Sequence, residues 1–217
     1  MQNPKQLTVD VYADIACPWC RIGRNRLRQA AAALRDEIQL ELRHLPHQLD
    51  PAEPEEPMPL RESLGRKFGA ENTEKMFVEM TVLGGREGLD FHLEHALAVN
   101  TFTAHRLLRF AAERHGTSVQ AALSERLYEA YFRDGLNIAD HGTLAGLAQQ
   151  AGIDPEQVKA FLASDEGVAE TRDRIAESRA SGVTTVPTTV LPDGTRIEGV
   201  QETEALVQAL RKAAAAV

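Results

Sequence analysis

Cys17 and Cys20 are the only cysteines in the 217 residues, and they stand in one stretch, Asp14-Ile-Ala-Cys-Pro-Trp-Cys-Arg-Ile-Gly-Arg24. They bracket the single tryptophan, Trp19. Two thiols separated by two residues can form a reversible disulfide, and the chemistry that follows is thiol–disulfide exchange. The competing readings are a structural pair and half of a metal site. A zinc site normally takes four ligands, no second cysteine pair exists, and the seven histidines are scattered. Redox chemistry is therefore the favoured reading.

Local context divides the labour between the two sulfurs. Pro18 suits the first position of a helix, where its missing N–H costs nothing. That makes Cys17 the N-cap and Cys20 the third helical residue. Unpaired N–H groups and the positive end of the helix dipole stabilise a thiolate at Cys17. Cys20 shares an apolar stripe with Leu27, Ala30, Ala31 and Leu34. The expectation is an exposed, attacking Cys17 and a shielded, resolving Cys20. Trp19 is either a rim residue that covers the helix end or a contact for apolar parts of a substrate. Asp14 opposes thiolate formation at Cys17, whereas Arg21 and Arg24 favour it. The bland alternative is that these charges are simply solvated.

The elements around the motif are legible from periodicity. Leu7, Val9, Val11 and Ala13 alternate with polar residues, which predicts a strand over 7–13. A helix from Pro18 to about Arg35 follows, then a second alternating strand from Ile38 to Leu42. Strand, helix and strand at this length form a βαβ unit with parallel strands. Residues 51–59, rich in proline and glutamate, predict an extended, exposed linker.

Helical patterns then dominate. They cover 60–68 and 73–83, with Gly84, Gly85 and Gly88 as breaks. Further helices begin after Asn100-Thr101, at Ser118, after Asp140, at Asp154-Pro155 and at Asp165. Asn100, Thr101 and His105 read as cap and packing residues. From 183 to 191 the chain turns β-branched and strand-like, Pro192-Asp193-Gly194 is a turn, and 195–199 returns as an antiparallel strand. A last helix spans 202–216. The implied organisation is a discontinuous α/β domain, 1–50 with 184–217, interrupted by a helical insertion over 60–182.

Composition excludes several classes. A net charge of −8 argues against nucleic acid or an anionic membrane surface as the main partner. No run is long and apolar enough to span a membrane. The first ten residues carry no apolar signal-peptide core, so the expected setting is cytoplasmic.

The βαβ–ββα order with Cys-x-x-Cys at the start of the first helix resembles the thioredoxin fold. A helical insertion at this place resembles its DsbA-like branch. Three stretches, Asp14 to Cys20, Asn100-Thr-Phe-Thr-Ala-His-Arg-Leu107 and Gly182-Val-Thr-Thr-Val-Pro187-Thr, are similar to the FrnE-like, cytosolic DsbA-related oxidoreductases. The resemblance implies an α/β thioredoxin fold with a large all-helical insertion. It also implies a cis-proline at Pro187 facing the cysteines, with Val186 pairing an extended substrate by strand addition. Pro18, Trp19, Val186 and Pro187 are the expected substrate contacts, and Cys17 and Cys20 the catalytic pair. The expected activity is that of a disulfide oxidant, reductant or isomerase acting on protein or peptide thiols and disulfides. It needs no metal and no organic cofactor, with glutathione as a further co-substrate, and works as a monomer or homodimer. Kappa-class glutathione transferases and chromene-carboxylate isomerases resemble the same scaffold but keep a single serine at the helix start. A glutathione-dependent isomerase or transferase is therefore the runner-up reading, and a holdase-like binding module the third.

Overall fold

The computed structural model describes residues 4–216. Strand β1 (Lys5–Ala13) runs up the middle of the sheet. Its inward residues Leu7, Val9, Val11 and Ala13 are all buried, as the alternation requires. Helix α1 (Pro18–Ala33) returns the chain, and β2 (Ile38–Pro46) lies parallel to β1, with Lys5 opposite Ile38 and Ala13 opposite Pro46.

The insertion starts with β3 (Met58–Pro59), α2 (Leu60–Phe68) and α3 (Ala70–Arg86). It continues through β4 (Leu97–Ala98), α4 (Phe102–His115), α5 (Thr117–Phe132), α6 (His141–Gln150), α7 (Pro155–Leu162) and α8 (Val168–Ala180). The chain then closes the sheet with β5 (Thr188–Val190) and β6 (Arg196–Glu198), and ends in α9 (Thr203–Ala216). The strand order is β2-β1-β5-β6, with β5 antiparallel to both β1 and β6. This is a mixed α/β thioredoxin-like fold with an extensive helical insertion. Helices α1 and α9 pack together, while α4, α5 and α8 pack against β2.

Three sequence expectations change in detail. The strand expected over 183–191 shrinks to Thr188–Val190. Residues 183–187 form a loop; Pro187 has no N–H to offer a ladder, and the Val186–Pro187 peptide bond is cis. The glycines at 84 and 85 do not break α3, which runs through them to Arg86. Gly84 is a packing residue: a Cβ there would lie 2.8 Å from Cδ2 of Phe91. The insertion is helical except for β3 and β4, a two-residue antiparallel pair that ties the end of the proline-rich segment to residues 97 and 98.

Candidate active site

Cys17 caps α1 in an extended backbone conformation (φ −92°, ψ 112°), and Pro18 begins the helix. The Cys20 N–H donates to Cys17 Sγ over 3.3 Å, so the cap is the sulfur itself. The Cys17 thiol points to the Val186 carbonyl oxygen at 3.9 Å. The two sulfurs are free thiols in this structure.

Cys17 is not exposed as the sequence suggested; it is 3% accessible. The reason is the insertion. Helices α2 and α3 and the loop at Val186 wall in the N-terminus of α1, and Cys17 faces a cavity of about 690 Å³ instead of open solvent. Leu64, Met76, Phe77, Met80 and Tyr131 contribute to its apolar wall. Pro18, Trp19 and Val186 line it too, and Trp19 is 45% exposed at the rim. Cys20 lies behind the wall, 1% accessible and outside the lining. Pro187 is also buried behind the lining, its ring packed on α1 where Gly23 leaves room.

Burial pushes the Cys20 thiol well up, reinforced by the hydrogen bond and charge of Cys17. The asymmetry expected of the pair is therefore present in a different form. One sulfur opens onto a cavity, and the other is sealed in the core.

Asp14 was not legible as a buried group, yet it is 1% accessible. It occupies the turn between β1 and α1, where its carbonyl accepts from Cys17 N–H at 3.2 Å and from the Tyr128 hydroxyl at 3.3 Å. Its carboxylate accepts from Leu49 N–H at 2.7 Å and meets His105 Nε2 at 3.2 Å. Burial acts to raise the Asp14 pKa. The His105 hydrogen bond and charge, with Leu49 N–H and Thr101, outweigh it and leave the carboxyl below its ordinary value. An ionised carboxylate only accepts, so Nε2 of His105 is assigned the hydrogen. His105 Nδ1 then faces His44 Nε2 at 3.4 Å. Burial, with the neighbouring His105 and Arg24, drives His44 well below the usual histidine range, so it is neutral. Burial also pushes Tyr128 far up, which keeps it a donor.

Arg21 and Arg24 are not solvated charges and do not reach the sulfurs as free cations. Both turn to Glu125 of α5, and Arg24 also donates to the Ala121 carbonyl at 2.8 Å. Thr101 and His105, one turn apart on α4, are the members of the Asn100–Leu107 stretch that converge on Asp14. Asn100 instead ties down the linker, donating to the Glu53 carbonyl at 2.7 Å and accepting from Phe102 N–H at 2.9 Å. The sequence signal for this cluster was the spacing of Thr101 and His105, which puts both on one helix face. Their partner could not be named from it. Among the described residues, no group of three or more His, Cys, Asp or Glu side chains is arranged to hold a metal ion. No helix among them is long and apolar enough to cross a membrane.

Comparison with known proteins gives the family and the fold. The chain is 32% identical to the "probable DsbA oxidoreductase" SCO1869 of Streptomyces coelicolor, with 95% of this chain and 89% of that one covered and a TM-score of 0.84. It is 25% identical over 190 residues to the Bacillus subtilis protein YwbO, covering 85% of this chain and 86% of YwbO. The cytosolic disulfide reductase DsbM of Pseudomonas aeruginosa shares the fold at 20% identity, with 96% of each chain covered and a TM-score of 0.61. The model of the DSBA-like thioredoxin domain matches residues 8–211. With paired cysteines at the head of α1 in this fold, the chain belongs to the DSBA-like thioredoxin domain family and is a disulfide oxidoreductase.

Proposed function

We propose that Cys17 is the attacking thiolate, Cys20 the resolving thiol, and the cavity beside Cys17 the seat for an apolar part of the substrate. One observation carries this reading: Cys17 lines the cavity, and Cys20 lies outside it with its N–H on the Cys17 sulfur. In the first step the Cys17 thiolate attacks a substrate disulfide and one substrate sulfur leaves as a thiolate. In the second, Cys20 attacks the Cys17 sulfur. The Cys17–Cys20 bond forms, the mixed disulfide breaks, and the substrate has gained two electrons from the pair. Run backwards, the same steps oxidise a dithiol.

Substrates are thiols or disulfides of peptides, or compact disulfides carrying an apolar group that fits between Trp19, Leu64 and Met76. The apolar groups exposed at the mouth, Trp19, Leu49, Phe68 and Met76, support this class, with Asp50, Glu53, Lys67 and Glu79 also lining the cavity. The FrnE-like, cytosolic assignment is part of the proposal and rests on the three sequence stretches quoted above. A chain with both cysteines spent on the exchange pair has no structural disulfide to maintain, which suits a reducing compartment.

Trapping tests the roles. Cys20→Ser incubated with a disulfide-bearing apolar peptide accumulates a stable adduct at Cys17, and Cys17→Ser forms none. Exchange at the undiminished rate by Cys17→Ser refutes the assignment. Activity of Cys20→Ser on a small electrophile with glutathione would instead select the isomerase or transferase chemistry. Trp19 stands between the two cysteines in sequence and is the only tryptophan, and its emission in a glutathione buffer series gives the direction. A potential near about −270 mV marks a reductant, and one near about −120 mV an oxidant.

A further inference from the structure

Exchange at Cys17 fixes the reacting sulfur but not the charge of the group attached to the substrate disulfide. The cavity at Cys17 has an apolar wall, yet four carboxylates and one ammonium also line it: Asp14, Asp50, Glu53 and Glu79, with Lys67. Four of these five groups are already engaged. The Asp14 carboxylate is buried on Leu49 N–H and His105. Lys67, near the end of α2, donates to Asp50 at 2.7 Å and also to Glu53, and Glu53 accepts from the Ser63 hydroxyl at 3.0 Å. The one cation of the lining is therefore spent on two anions.

Glu79 of α3 is the exception. It is exposed, and no cation among the described residues is paired with it. Lys75 stands four residues earlier, within reach on the helix surface, but turns to Glu71 at 2.7 Å. Arg61 of α2 binds Glu74. Met76, three residues before Glu79 and on the same side of α3, is exposed at the mouth of the cavity. An apolar contact and an unneutralised negative charge thus stand side by side on a helix that walls in Cys17.

Resting on the reading that Cys17 attacks a substrate disulfide in this cavity, we infer that Glu79 selects the charge of the substrate. It favours a disulfide whose apolar group lies beside a cation, as in a peptide with arginine or lysine next to an apolar residue. It disfavours an anionic disulfide such as that of glutathione. The apolar wall takes the apolar group, and the carboxylate on its lip takes the cation. A charge at the rim of a binding site acts mainly on the rate of encounter and on its salt dependence.

The chemistry at sulfur is unchanged by this selection. The Cys17 thiolate bonds to one substrate sulfur, the substrate S–S bond breaks, and the other sulfur leaves as a thiolate. Glu79 touches none of these atoms and is a specificity-determining residue.

The test gives the reduced protein two aromatic disulfides of one frame, one bearing trimethylammonium groups and the other carboxylates, and times release of the aromatic thiol at pH 7. Each rate is divided by that of mercaptoethanol with the same probe, which removes the intrinsic reactivity of the disulfide. The wild type is expected to favour the cationic probe. Glu79→Gln should cut that preference about fivefold, because a unit charge about 8 Å away in water changes the rate of each probe between about twofold and threefold, in opposite directions. Glu79→Lys should cut it about 25-fold and speed the reaction with glutathione disulfide. The wild-type preference should also shrink as salt rises from about 0.01 M to about 1 M and the Debye length falls from about 30 Å to about 3 Å. Equal rates for the two probes in the wild type, or a preference that Glu79→Gln leaves unchanged, overturns the inference. Should the variants fail to fold, the wild-type salt series decides: a preference that salt does not move overturns it. Cys17→Ser with the same probes separates the two claims. Release at the wild-type rate by that variant overturns the functional reading, whereas release that needs Cys17 but ignores charge overturns only the charge selection.

Discussion

Gly23→Ala is the substitution that ties the loop at Val186 and Pro187 to the helix carrying the cysteines. Gly23 lies three residues beyond Cys20 on α1, facing Pro187. A Cβ at residue 23 would lie 2.8 Å from Pro187 Cγ and 3.6 Å from Val200 Cγ2. The proline ring cannot rotate away, and its carbonyl is fixed by Gly199 N–H at 2.8 Å. Two effects compete. Alanine improves the helix by about 1 kcal/mol over glycine, and overpacking a tight contact costs about 1–3 kcal/mol. The expected net loss is about 0–2 kcal/mol, read as a lower urea midpoint. Function should suffer more than stability. The displaced ring carries the Val186 carbonyl, which faces Cys17 at 3.9 Å, away from that sulfur. Urea unfolding and the rate of Cys17 adduct formation are measured on the same sample. A variant about 1 kcal/mol more stable with an unchanged adduct rate would refute the packing argument.

Two further outcomes follow from the buried charges. Glu125→Gln leaves Arg21 and Arg24, with side chains 9% and 6% accessible, without their anion. The expected loss is about 3–5 kcal/mol, and a drop below 1 kcal/mol in urea unfolding would show that the two guanidinium groups find solvent. His44 gives a pH dependence of defined sign. Its pKa is depressed by burial first, so below about pH 6.5 the unfolded chain binds a proton that the native chain refuses. Its stabilising contribution is complete above that pH and falls by about 1.4 kcal/mol per pH unit below it. His44→Gln should flatten the slope of stability between pH 5 and 6.5; an identical slope in both proteins excludes His44 as its source.

Which of these features the sequence revealed depends on how far apart the interacting residues are. The alternation of Leu7, Val9, Val11 and Ala13, the Cys17 cap with Pro18, and the Asp140 and Asp154 caps are local patterns. Each appears in the structure where the pattern puts it. Boundaries failed where a distant partner decides them. Gly84 lies inside α3 with Phe91 close against it, and β5 begins only after Pro187, where the chain reaches β1. The site divides along the same line. The two cysteines were legible from spacing alone. The burial of Asp14 was not, since its partner His105 is 91 residues away, and Glu125 is 104 residues from Arg21.

The insertion therefore does more than enlarge the fold. Helices α2 and α3 convert an N-capping thiol that would face water into the wall of an apolar cavity. Helix α4 brings His105 to Asp14, and α5 brings Glu125 to the arginines that follow the motif. The cysteine pair stands at the head of α1, but the partners of the charged groups around it come from helices in the middle of the chain.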